Sequence, residues 1–477
     1  MLGLDAIATI EIPSWHRTVY HKDITYTMRS FSMTSTLLRS ALSEQCIAPT
    51  VRHLSNGLTI VAEQMPVDAV NLSLWLPIGS AAETDDINGM AHFLEHMVFK
   101  GTPKLAQGEF ERQIEERGAV TNALTSQDYT QFYLTAAPQD FADLAPLQFE
   151  VVLNSSIPDE AFERERSVVI EEIHRAQDNP NRRVYQRAIE LAFANLPYRR
   201  PVLGPQSVIE ELTPGQMREF HQGYYRPQNL TAAVVGNLAV DELIQIAADS
   251  CTFADSCPVD EERLKLPLPI SSSSGQCSET AHFNGCPELP FATIERREYS
   301  DPSLQQARLI MMWRVPGAMV PEQTYALDIL SAILSQGRTS RLVRQLREEK
   351  QLVSSITAAN LTYYQQGLFY VAAQLPTEHL QEVEATIAEN IAALQHSIQA
   401  AEVDRIRTQV ANRFVFGTET PSDRAGLYGY HQAILHDINL ALDYPQHIRS
   451  LQLEDLQAAA RSHLSPEAYG IVTITPQ

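Results

Sequence analysis

The stretch Ile87-Asn88-Gly89-Met90-Ala91-His92-Phe93-Leu94-Glu95-His96-Met97-Val98-Phe99-Lys100-Gly101 decides how this chain is read. On a helix His92 and His96 stand at i and i+4, so both imidazoles leave the same face within reach of one cation. Glu95 points toward that face too. Met90, Ala91, Phe93, Leu94, Met97 and Val98 fill the gaps with apolar side chains. Polar groups set in such a helix are costly unless something satisfies them, and a metal ligated by the histidines does so. The order H-x-x-E-H is the reverse of the H-E-x-x-H zinc-protease motif.

A catalytic zinc takes three protein ligands and keeps a fourth position open. The third is to be sought downstream, in the strongly helical stretch from Asp159 to Pro180. There Glu165 and Glu172 lie seven residues apart, on one face after two turns. Val168, Val169 and Ile173 form the stripe expected to bury this helix, with Glu163 and Glu171 on its exposed flank. Spacing alone does not choose between Glu165 and Glu172.

Three segments together, His92 to Gly101, Glu165 to Pro180 and Gly118 to Tyr133, resemble the M16 peptidases, the family of pitrilysin, insulysin and the mitochondrial processing peptidase. The resemblance starts near Pro49 and runs to the C-terminus. It implies zinc held by His92, His96 and a glutamate about 76 residues past the second histidine, which is Glu172 here. It also implies Glu95 as general base and Glu165 as a supporting carboxylate. Asn122 and Ala123 fall on the family's edge strand, which takes substrate as an added strand through backbone bonds. From the second half, Arg424 and Tyr428 match the arginine and tyrosine that hold substrate; they are i and i+4 on a helix started by Pro421.

The order of elements repeats. Strand patterns at 58–62 and 70–76 lead to the His92 helix, followed by a helix at 108–117 and strands at 120–123 and 129–136. After a Pro-, Gly- and Ser-rich segment come a strand at 307–313, a helix at 323–334, a helix ending near Lys350, strands at 353–359 and 367–374, and a helix at 377–396. Glu115 to Ala123 aligns with Glu348 to Ile356, which points to duplication. The helix that answers to His92–His96 reads Ala326 to Leu334 and carries no ligand pair. The expected fold is α+β: two homologous halves, each a mostly antiparallel sheet with helices on one face. The expected divisions are an extension at 1–48, a metal-binding half at 49–250, a linker at 251–294 and a second half at 295–477.

A formal net charge of −22 argues against nucleic acid, whose phosphates call for clustered Lys and Arg. No apolar run approaches a membrane span. The acid-poor Ser/Thr stretch near Arg29 and Arg39 gives only a weak transit-peptide signal, and no secretory pattern precedes it. Five cysteines, four of them between Cys251 and Cys286, lack zinc-knuckle spacing and read as thiols of a reducing compartment. The cytoplasm is the expected location, with periplasm or organelle left open. The expected activity is zinc-dependent cleavage of peptides or unfolded presequences, by a homodimer or with a second M16-type subunit. The alternative is a non-catalytic substrate-binding subunit of such a pair.

Overall fold

A computed structural model describes residues 48–254 and 286–476. Nearly all of the expected extension and most of the expected linker lie outside this range, as do Cys46, Cys257 and Cys277. Among the described residues no helix is long and apolar enough to cross a membrane.

Two sheets organise the chain. The first holds β1 (Thr50–His53), β2 (Thr59–Gln64), β3 (Val70–Leu76), β4 (Val120–Thr125), β5 (Thr130–Ala136) and β6 (Thr231–Gly236), in the order β1-β2-β6-β3-β5-β4. The second holds β7 (Glu295–Ser300), β8 (Ala307–Pro316), β9 (Ser355–Leu361), β10 (Gln366–Leu375) and β11 (Gly470–Thr475), in the order β7-β11-β8-β10-β9. Without β1, the two orders correspond strand for strand. Each sheet has one parallel pair, β2 with β6 and β7 with β11, and is antiparallel elsewhere. The duplication expected from the sequence is thus present in the topology.

Five helices build the site and the contact between the halves: α1 (Met90–Val98), α2 (Asp159–Asp178), α3 (Pro180–Ala192), α4 (Tyr325–Ser335) and α5 (Pro421–Ile434). Asn179 ends α2 and caps α3, its side chain accepting from the backbone N–H groups of Asn181 and Arg182. The segment expected to be an ordinary helix before Lys350 instead forms a wider π turn over Val343–Glu349.

One face of the first sheet carries Leu58, Ile60, Ala62, Leu72 and Leu74 into a core shared with Phe93, Leu94 and Met97 of α1. The opposite face, with Val61, Ala233, Val235 and Trp75, is covered by α5 from the second half. Reciprocally, Val184, Ala188 and Ile189 of α3, from the first half, pack on Ile310, Met312, Val472 and Ile474 of the second sheet. Each half therefore lends a helix to the other's sheet, so helices cover both faces. Successive side chains of a strand point to opposite faces, and here both faces are apolar, so each needs a cover.

Candidate metal centre

The short helix α1 has no side-chain cap of its own; Gly89 precedes it with φ 99°. Glu83 takes that role from a distance. Its carboxylate accepts from the backbone N–H of Gly89 at 2.8 Å and of Ala91 at 2.7 Å, and from Asn88 Nδ2 at 2.8 Å. A carboxylate at a helix N-terminus satisfies orphan donors and complements the helix dipole. Burial pushes the Glu83 carboxyl up to about 7, against the pull of these bonds.

With Phe93, Leu94, Met97 and Val98 turned into the core, His92, Glu95 and His96 face outward toward α2 and β4. The rings of Phe93 and Phe162 stack at 4.5 Å, setting α2 across α1. Val169 and Ile173 are buried as expected, whereas Val168 is half exposed, because three valine-type positions so close in sequence do not fit one helical stripe.

This packing brings Glu172 to both histidines. Nε2 of His92 and Nε2 of His96 each lie 3.5 Å from the same Glu172 oxygen. One ligand atom from each of the three side chains falls within 4.8 Å of the others. Donors about 2.0–2.1 Å from a tetrahedral zinc stand about 3.4 Å apart, so this set of two imidazoles and a carboxylate fits zinc. Burial, with His96 alongside, pushes His92 down to about 4, leaving its ring neutral and its lone pair available. Burial would depress His96 as well, but Glu165 and Glu172 raise it to about 9 and so favour positive charge at this spot.

Glu165 sits behind His96. One oxygen is 3.0 Å from His96 Nδ1 and the other 2.8 Å from Lys100 Nζ. A carboxylate on the far nitrogen of a ligating histidine fixes its tautomer and orientation. Glu95 contributes nothing to the three-ligand cluster. Its carboxylate accepts a short hydrogen bond from Thr125 Oγ1 at the end of β4, and burial raises it above the usual carboxylate range. The Arg182 charge, in the first turn of α3, bears on both His92 and Glu172. The roles of Thr125, Lys100, Arg182 and Glu83 are not legible in the sequence, apart from Lys100, whose place one turn past His96 is a local signal.

The edge strand is where it was expected. Among the described residues β4 pairs with β5 alone. Asn122 is exposed, and its side-chain oxygen accepts from the Ala123 backbone N–H at 2.9 Å. Arg424 and Tyr428 lie elsewhere. Both bind the buried Glu63 of β2, Tyr428 through its hydroxyl at 2.8 Å and Arg424 through its guanidinium. They stand on the α5 side of the first sheet, opposite α1, so the structure does not bring them to the histidines.

In the second half α4 stands where α1 stands in the first. Aligning Gly337 with Gly101 puts Asp328 at the place of His92, Ser331 at that of Glu95 and Ala332 at that of His96. Asp328 is held by Asn360 Nδ2 at 2.9 Å and the Tyr444 hydroxyl at 3.0 Å. At that place the second half has an internal hydrogen-bond network and not a ligand set.

Residues 59–206 match the family model described as Insulinase (Peptidase family M16), and residues 211–410 match Peptidase M16 inactive domain. An uncharacterized zinc protease of Mycobacterium tuberculosis is 28% identical over 441 residues, which is 90% of this chain and 94% of that protein. One from Bacillus subtilis is 25% identical, covering 88% and 97%. A protease from Helicobacter pylori of known structure superposes with a TM-score of 0.80 at 24% identity, over 90% of this chain and 99% of that one. A structure from Pseudomonas fluorescens described as a peptidase M16 inactive domain gives 0.77 at 20% identity, over 90% and 98%. With two M16 family models matching residues 59–206 and 211–410 and relatives named as zinc proteases aligned over about 90% of its length, this chain belongs to the M16 peptidase family.

Proposed function

We propose that the chain is a zinc-dependent endopeptidase acting on peptides or unfolded segments. One observation carries the reading: a single Glu172 oxygen lies 3.5 Å from the Nε2 atoms of both histidines, with Glu95 beside them but outside the cluster. His92, His96 and Glu172 would hold the ion. Zinc bound there supplies Lewis acidity, polarising a carbonyl and acidifying water.

The chain's own groups account for the rest. Glu95, raised by burial, takes the proton of the attacking water and passes it to the leaving amine nitrogen. Thr125 keeps the Glu95 carboxylate aimed by donating to one of its oxygens. Glu165 holds the His96 ring so that Nε2 faces Glu172. The open side of β4, where Asn122 and Ala123 lie, receives an extended substrate as an added strand, whose carbonyl takes over the Ala123 N–H that the Asn122 side chain holds in the free chain. The partner we expect is a second copy or another M16-type chain, closing a cavity around the peptide.

Zinc content and cleavage of a mixed peptide library, measured on wild type and Glu95→Gln, test this. One zinc per chain in both proteins, with cleavage reduced by roughly 10²-fold or more in the variant, is the expected result. Loss of zinc in Glu95→Gln would make Glu95 a ligand and overturn the assignment.

A further inference from the structure

The β4–β5 turn joins the two halves at a point three residues from the group that holds Glu95. Thr125 ends β4; Asp128 lies in the turn that follows. The Asp128 carboxylate is buried and accepts from the Tyr198 hydroxyl at 3.0 Å and from the backbone N–H of Tyr364 at 2.9 Å. Tyr364 belongs to the β9–β10 turn of the second half. The same Tyr198 hydroxyl accepts from the Gln365 N–H at 2.9 Å, and the Tyr198 ring stacks on Tyr363 at 4.4 Å. Across the turn, Ser80 and Ala81 donate to the carbonyls of Ser126 and Gln127 at 3.1 and 2.8 Å. Gly79 leaves no space there, since a Cβ would overlap the Ser126 carbonyl oxygen.

We propose that Asp128 is a positioning residue, through which the second half fixes the β4–β5 turn so that Thr125 holds Glu95 in place. The inference rests on the reading of Glu95 as the base. It gives the metal-free half a part in the chemistry without any contact with substrate. The hydrogen-bond count supports the choice of an aspartate. Tyr198 already accepts from Gln365, so its proton must go to an acceptor, and Tyr364 offers a second donor; a carboxylate takes one on each oxygen without presenting a donor of its own to either. Among the described residues its partners are a phenol and an amide and include no cation, so the charge is buried for two directed bonds. Burial accordingly raises Asp128 to about 6. A turn held on both sides transmits a shift at Asp128 to Thr125, and displacement of a catalytic group by about 1 Å costs up to roughly 10²-fold in rate.

The test compares wild type, Asp128→Ala and Asp128→Asn by zinc content, steady-state cleavage and amide hydrogen exchange. Asp128→Ala is expected to lower kcat by roughly 10-fold or more, with KM within about two-fold and zinc unchanged. Exchange should quicken both at 126–130 and at 361–366, in the two halves at once. Asp128→Asn, which keeps an acceptor for Tyr364, should recover much of kcat. Should Asp128→Ala fail to fold, Tyr198→Phe replaces it, with the same direction of change in kcat and exchange. Unchanged kcat, or exchange that quickens in only one of the two turns, overturns the proposal. Absence of cleavage by the wild type would sink the peptidase reading on its own, while the exchange rates would still decide whether Asp128 couples the turns.

Discussion

Nδ1 of His96 lies 3.0 Å from Oε1 of Glu165, and that bond turns the other ring nitrogen toward Glu172. Orienting partners of this kind are worth about 10- to 100-fold in metal affinity. Glu165→Ala should therefore weaken zinc binding by roughly that factor, read by competition with a chromophoric chelator. Cleavage should recover when zinc is added in excess. Wild-type affinity in the variant would reduce Glu165 to a surface partner of Lys100.

Glu83 makes stability depend on pH. Its folded-state value is raised from the usual 4.5 to about 7. Its contribution is fully present below pH 4.5 and is lost as pH rises through 7, because the unfolded chain ionises first. The difference corresponds to roughly 3 kcal/mol. Glu83→Gln removes this dependence. Denaturant unfolding at about pH 5 and about pH 8 should show the wild type losing more stability than the variant across that interval. Parallel losses in both proteins would refute the assignment.

Two glycines of α5 should respond in opposite directions. A Cβ at Gly429 would overlap Trp75 Nε1, whereas one at Gly426 would meet nothing within 4 Å. Gly429→Ala should destabilise by about 1–3 kcal/mol or more, since neither the helix backbone nor the buried indole has room to yield. Gly426→Ala should stabilise by about 0.5–1 kcal/mol through helix propensity. Thermal unfolding of the two single variants decides it; equal shifts would mean that α5 does not press on β3.

Arg424 should matter for stability. Removing it leaves the buried Glu63 with the Tyr428 hydroxyl but without its cation. Loss of one partner of a buried pair costs about 3–5 kcal/mol. Arg424→Ala should thus lower the unfolding free energy by about that much, and Glu63→Gln in the same chain should restore part of it. A variant of normal stability with a raised KM for peptides would instead return Arg424 and Tyr428 to substrate binding.

How much of the fold and site was legible in the sequence differs from residue to residue. His92, Glu95 and His96 announce themselves because helical periodicity is local. Glu172 needed the family resemblance; in the structure it differs from Glu165 by facing both Nε2 atoms rather than one Nδ1. The pairing of Arg424 with Tyr428 along one helix was readable, but not their partner Glu63, which lies 361 residues from Arg424 in sequence. Strands β6 and β11 are hidden in the sequence for a related reason. Thr231 to Gly236 is buried on both faces, so it lacks alternation, and its parallel partner β2 is far away in the chain. Thr125 and Glu83 act through contacts that only the folded chain creates.

The exchange of α3 and α5 between the sheets has a consequence for dissection and engineering. Expressed alone, either half would lack the helix that seals one side of its sheet, and would present that apolar side to water. Separately made halves should thus need each other to fold, which suits the chain to split-protein complementation rather than to truncation.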